Sequence, residues 1–194
     1  RGRTVSFGGR TLGDDKAKYI NSPESAAFHK SREIYGLFEA RQALKQIDKL
    51  LVVEGYMDVI ALAQAGIHYA VAAMGTATNQ ESLTTLLKQS RHLVFCFDGD
   101  TAGYRAADRA MENALELLQD GIHLQFLMLP EGEDPDSLVR QEGGKAFEER
   151  IQGARPFSRY LFDRMQEGLD LSLPENQGEL RARVEPLLAK MPKG

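Results

Sequence analysis

Four short runs of the chain, residues 50–54, 69–73, 92–97 and 124–129, are almost continuously apolar and lack the in-and-out alternation of a half-exposed strand. Such runs predict strands buried on both faces, as in a parallel sheet covered by helices. The segments between them carry helical spacing. Residues 56–65 stop at Gly66, a residue suited to the position just past a helix. After a turn at Gly75-Thr76, a second helix capped by Thr78 or Asn79 runs to about residue 89, and a third spans 102–119 before Gly121. Strands alternating with helices predict an α/β fold with a four-stranded parallel sheet.

The flanks differ. Residues 1–27 are rich in Gly, Ser, Asp and Thr and predict loops and short strands. Residues 31–46 place Ile34, Leu37, Phe38 and Leu44 at helical intervals and predict an amphipathic helix. Beyond Pro130 the pattern is helical to the end, over 137–151, 157–166 and about 177–190, with Pro156, Pro174 and Pro186 marking or interrupting segments. The last part reads as the start of a helical subdomain. The first residue is Arg1, not Met, which suggests a piece of a larger soluble protein. No apolar stretch approaches the roughly 20 residues of a membrane span, and nothing resembles a signal peptide.

Charge is unevenly placed. The net charge is −4, yet residues 1–49 hold 10 Lys/Arg against 6 Asp/Glu, while residues 50–194 hold 14 against 22. A basic leading segment on an acidic body suits phosphates in one part and cations in the other. The single cysteine, Cys96, excludes an internal disulfide and fits a reducing cytosol, where it reads as a small buried hydrophobe.

Acidic residues follow three of the apolar runs. Residues 50–53 lead into Glu54, residues 92–97 into Asp98-Gly99-Asp100, and residues 123–129 into Asp134-Pro135-Asp136. At the carboxyl ends of parallel strands these acids would converge in one crevice. Carboxylates packed that closely need a cation, and an oxygen-only set suits Mg²⁺ or Mn²⁺ in place of zinc. Glu54 is placed to act as general base or acid. Asp58, in the first turn of the next helix, is either a favourable dipole partner or a supporting metal ligand.

Rival readings of these acids fare unequally. A calcium loop starting at Asp98 fails, because its fifth and twelfth positions are Ala102 and Arg109. A phosphatase in which Asp98 is phosphorylated and Asp100 is the general acid stays open as the weaker alternative.

Glu54 followed by Asp98-Gly99-Asp100 resembles the Toprim module of bacterial primases, topoisomerases and some nucleases. The resemblance extends to Phe7-Gly8-Gly9-Arg10, Lys18-Tyr19-Ile20-Asn21-Ser22-Pro23-Glu24, Phe28-His29-Lys30, Val53-Glu54-Gly55-Tyr56-Met57-Asp58 and Glu133-Asp134-Pro135-Asp136, which together are similar to the catalytic core of DnaG-type bacterial primases. It implies a Toprim-like parallel four-stranded sheet with flanking helices, preceded by a short α+β segment and followed by a helical subdomain. The implied division is the end of a polymerase subdomain over 1–48, the Toprim module over 49–135 and the helical part over 136–194.

The implied activity is nucleotidyl transfer that makes short RNA primers on single-stranded DNA from nucleoside triphosphates. The implied metal set is Glu54, Asp58, Asp98, Asp100, Asp134 and Asp136, with Glu54, Asp98 and Asp100 catalytic and two or more Mg²⁺ or Mn²⁺ ions bound. Arg10, Lys18, Tyr19, Asn21 and Lys30 are the implied nucleotide or template contacts. A replicative helicase and a single-strand-binding protein would act through regions beyond this segment. The family's zinc-binding domain is not within this chain, so no zinc is expected here, and a bacterial cytoplasm at the replication fork is the implied location. The same carboxylates could also serve Toprim strand cleavage, as in a nuclease or topoisomerase. A topoisomerase needs a nucleophilic Tyr, and Tyr56, Tyr69 and Tyr104 stand in no setting that suggests activation.

Overall fold

The computed structural model describes residues 3–11, 19–73 and 79–192, with only the backbone of Tyr19 described. Lys18, the Gly75-Thr76 turn and Thr78 therefore lie outside the described residues.

Two sheets are present among them. A hairpin pairs β1 (Gly8–Arg10) antiparallel with β2 (Tyr19–Asn21). The second sheet has six strands in the order β3-β5-β4-β6-β7-β8. These are β3 (Ile34–Tyr35), β4 (Leu50–Val53), β5 (Ala70–Ala73), β6 (His92–Gly99), β7 (His123–Glu131) and β8 (Arg155–Pro156). The central four are mutually parallel, and the two-residue edge strands run antiparallel to their neighbours.

Seven helices are described: α1 (Leu37–Ala43), α2 (Tyr56–Gln64), α3 (Gln80–Leu87), α4 (Thr101–Leu115), α5 (Pro135–Gln152), α6 (Phe157–Met165) and α7 (Pro174–Leu188). The unbroken apolar strands are explained by the two cores they divide between. Leu50, Val52, Leu93, Phe95, Phe97 and Phe126 face a core closed by α3, α4 and α6. Their alternates Leu51, Val53, Val94, Cys96 and Leu129 face a core closed by α2 and α5. Phe126 stacks on Tyr160 of α6 with ring centroids 4.4 Å apart, which seats that helix on the sheet. Each fully buried side chain of this size contributes roughly 1.5–3 kcal/mol, so neither face of β6 could be polar. No described helix is long and apolar enough to cross a membrane.

Two elements differ from the expectation. The helix expected over 31–46 is only α1. Ile34 and Tyr35 instead pair with Ala73 and Ala72, and Gly36, at φ 83°, turns the chain before the helix starts. A side chain is excluded there twice over, since a Cβ would also lie 2.7 Å from Val59 Cγ1 and 2.9 Å from Ala70 O. The other difference is β8, a strand of two residues with no sequence signal.

The strand order fixes where a site can form. β4 connects through α2 to β5 on one side, while β6 connects through α4 to β7 on the other. The crossovers part between β4 and β6, and the crevice outside their carboxyl ends is the switch point at which α/β sheets bind ligands.

Candidate metal and phosphate-transfer site

Glu54 follows β4, and Asp98 lies at the end of β6, directly at the switch point. The Asp98 amide N–H points to Glu54 Oε1 at 3.5 Å, so the two acidic strand ends meet across the sheet. Asp58 is buried, and its carboxylate accepts the Gly55 N–H at 3.0 Å, closing the first turn of α2. The backbone amide of Asp136 lies near enough to lower its pKa, and α2 and α5 pack side by side.

Asp100 and Asp134 have local structural work. Each is an N-cap, Asp100 accepting the Gly103 N–H at 2.7 Å and Asp134 accepting the Ser137 N–H at 2.7 Å. Such caps contribute roughly 0.5–2 kcal/mol and account for an Asp at both positions. Asp136 is ion-paired with Arg140 one turn along α5. Asp98 has no comparable role. Its Oδ1 is buried and accepts no hydrogen bond among the described residues.

The electrostatics show how tightly the acids are gathered. Burial pushes the Asp98 carboxyl up to about 7, and Glu54, Asp58, Asp134 and Asp100 push it in the same direction. Asp58 is pushed up to about 6, first by burial and then by Asp134, while the Gly55 and Asp136 amides pull it back. Glu54 is raised by desolvation and by Asp100, with the Asp98 amide and the Arg109 guanidinium opposing. Several carboxylates that resist ionising together form a site complementary to divalent cations.

As the side chains stand, no three His, Cys, Asp or Glu groups among the described residues are arranged to chelate one ion. Mg²⁺ commonly keeps several waters and takes only one or two carboxylates plus phosphate oxygens, so a closed protein cage is not required. The unpartnered Asp98 oxygen and the oxygen-only character of the set fit such an ion.

The predicted basic residues are less uniformly placed. In the β1–β2 hairpin Gly8 pairs with Asn21 and Arg10 with Tyr19. Gly8 is flanked by Asn21 and by the Tyr56 ring, with a Cβ there falling 3.0 Å from Asn21 Oδ1 and 3.4 Å from Tyr56, which sets the hairpin against the start of α2. Arg10 lines a cavity of about 420 Å³ with Tyr35, Tyr56 and Met57. Lys30 is tied through its backbone N–H to Glu24 Oε1 at 2.9 Å, with no contact to the acidic crevice among the described residues. A larger cavity of about 600 Å³ lies beyond β7, lined by Tyr104, Arg155, Tyr160 and Arg164, and does not include the carboxylates.

The sequence reading passed over three contributors. Arg109 was weighed only as a failed calcium ligand, yet it faces Glu54 electrostatically. Glu133 and Ser137 interlock the second acidic turn through a 2.6 Å hydrogen bond. A Ser three residues after an N-cap Asp was the available signal for Ser137. Gly99 is required for space, since a Cβ there would lie 1.8 Å from Pro130 O.

The chain is similar to known proteins over nearly its whole length. The family described as the N-terminal domain of the DNA primase catalytic core matches residues 1–41, and a Toprim-like family matches residues 51–139. The DNA primase of Pseudomonas aeruginosa is 54% identical over 193 residues, which cover 99% of this chain and 29% of that protein. A crystal structure of a DNA primase domain from Pseudomonas aeruginosa superposes with TM-score 0.95 at 54% identity, covering 98% of this chain and 60% of that one. A structure of the DnaG primase catalytic domain bound to ssDNA gives TM-score 0.91 at 49% identity, covering 98% and 62%. The chain thus spans less than a third of the length of the Pseudomonas primase.

Proposed function

The chain belongs to the catalytic core of DnaG-type bacterial primases, and from that premise we propose that it is the nucleotidyl-transfer segment of an enzyme that synthesises short RNA primers on single-stranded DNA. A related catalytic domain has been solved bound to ssDNA, which supports a single-stranded template here. The observation that carries the reading is Asp98, whose buried, unpartnered oxygen lies among Glu54, Asp58, Asp100 and Asp134 at the switch point of the sheet.

In this reading residues 1–48 bring nucleotide and template, residues 49–135 are the Toprim module, and residues 136–194 begin a helical subdomain. Asp98, Asp100, Asp134 and Asp136 would hold Mg²⁺ or Mn²⁺, supported by Asp58. Bound there, the ions would orient the triphosphate and stabilise charge on the attacking and leaving oxygens. Glu54 takes the proton of the attacking 3′-hydroxyl. Its place at the end of β4, with Oε1 facing the Asp98 amide, sets it beside the carboxylates that would hold the ions. Arg10 and Lys18 steady phosphates, with Tyr19, Asn21 and Lys30 along the same nucleotide and template path. The helicase and single-strand-binding protein contact parts of the full-length protein outside this chain, and the setting is the bacterial cytoplasm.

The test is incorporation of labelled ribonucleotides on a single-stranded template by the full-length protein. Asp98→Asn should reduce primer synthesis on the order of 10³-fold or more while circular dichroism stays unchanged. Wild-type rates in that variant would refute the assignment. Template cleavage or a covalent protein–DNA adduct in place of extension would favour strand breakage, and phosphate trapped on Asp98 would favour the phosphatase.

A further inference from the structure

The two acidic turns are joined by a small hydrogen-bond lattice, and Ser137 stands at its centre. The chain leaves β7 through a tight turn in which the Glu133 N–H donates to Pro130 O at 3.1 Å, with Gly132 at φ 79°. That turn carries the Glu133 carbonyl to the Gly99 N–H, which donates to it at 3.1 Å, so the middle of Asp98-Gly99-Asp100 is pinned to the residue before Asp134.

The Glu133 carboxylate accepts the Ser137 hydroxyl at 2.6 Å and the Gln141 side-chain amide at 3.2 Å. Ser137 in turn grips Asp134 twice. Its Oγ accepts the Asp134 N–H at 3.1 Å, and its own N–H donates to Asp134 Oδ1 at 2.7 Å. A hydroxyl has one proton to give, and the ionised Glu133 oxygen is the shorter and stronger acceptor, ahead of Asp134 O at 3.0 Å.

An ordinary capping box explains the reciprocal pair of Asp134 and Ser137. It does not explain why a second carboxylate outside the helix, Glu133, fixes the hydroxyl's rotation, or why the same residue's carbonyl holds the other acidic turn. We infer that Ser137, braced by Glu133, is a positioning residue of the acidic site, fixing the Asp134 carboxylate relative to Asp98 so that both turns can share one set of divalent cations. This rests on the metal reading above, so the test must separate the two.

The probe is Mn²⁺ alone, its binding to the full-length protein followed by the loss of the free-ion electron paramagnetic resonance signal. Asp98→Asn tests the site itself, and binding in it equal to wild type would remove the premise. Given loss in Asp98→Asn, Ser137→Ala should weaken Mn²⁺ binding about 10- to 100-fold, and Ser137→Thr, which keeps the hydroxyl, should stay within about 3-fold of wild type. Glu133→Ala should weaken it as well, while Glu133→Gln, equally uncharged but still an acceptor, should retain most of the affinity. The double variant Ser137→Ala/Glu133→Ala should bind no more weakly than the worse single one, because both act through one hydrogen bond. Unchanged affinity in Ser137→Ala, or equal loss in Glu133→Gln and Glu133→Ala, would overturn the inference. Should Ser137→Ala fail to fold, the pair of Glu133 variants decides alone.

Discussion

Asp98 is the residue on which the site turns, and its environment has a measurable consequence. A carboxyl raised to about 7 in the folded protein and ordinary in the unfolded chain binds more protons when folded between roughly pH 4 and 7. Its contribution to stability is therefore full below about pH 4 and is lost as the pH climbs through 7; Asp58, raised to about 6, acts with the same sign. In metal-free protein at pH 8, Asp98→Asn should raise the melting temperature by about 2–4 °C, corresponding to about 1 kcal/mol after solvent screening, with little gain at pH 4. Calorimetry at the two pH values checks this, and equal shifts at both would contradict it. Ions must displace those protons, so Mn²⁺ affinity should fall as pH drops below about 7. At this scale the sequence showed which acids follow strands. It could not show that Asp100 and Asp134 are tied up as helix caps while Asp98 is left with a bare buried oxygen, because capping and burial depend on backbone geometry. Glu133 and Arg109 were illegible for the same reason, each becoming relevant only through contacts made in the folded chain, whereas Ser137 carried a capping signal but not its bond to Glu133.

At the level of elements, the continuous apolar runs were enough to place all four parallel strands, since burial on both faces leaves no polar alternation to misread. The short edge strands carried no such signal; β3 and β8 are two residues each and exist only because a neighbouring strand offers its edge. The predicted helix over 137–151 is present as α5, but it is kinked where Gly143 adopts φ 81°. The next residue explains the kink's use, because α5 crosses α2 so closely that a Cβ on Gly144 would lie 2.1 Å from Ala65 O. Gly144→Ala should cost about 1–3 kcal/mol through that backbone clash, and Gly143→Ala about 1–3 kcal/mol through its positive-φ, extended backbone alone. Chemical denaturation measures both. Since α5 begins at the Asp134 cap and packs along α2, Gly144→Ala should also weaken Mn²⁺ binding, whereas a variant as stable as wild type would show that the close crossing is not required.

For the whole molecule, the strand order does what no single motif can. It splits the crossovers between β4 and β6 and so gathers acids separated by 44 residues, Glu54 and Asp98, into one crevice with the start of α5 beside them. The leading hairpin is set against α2 at Tyr56, which brings the basic segment to the same end of the sheet. The central claim is that this end holds divalent cations and the triphosphate of a nucleotide. The most direct measurement is a crystal of the full catalytic domain soaked with Mn²⁺ and a nucleoside triphosphate, with diffraction recorded for the manganese anomalous signal. The account predicts anomalous peaks within coordination distance of Asp98 and of the Asp134-Pro135-Asp136 turn, with triphosphate density between them and the hairpin of Arg10. Manganese bound elsewhere, with Asp98 still unliganded and the triphosphate away from the crevice, would contradict it.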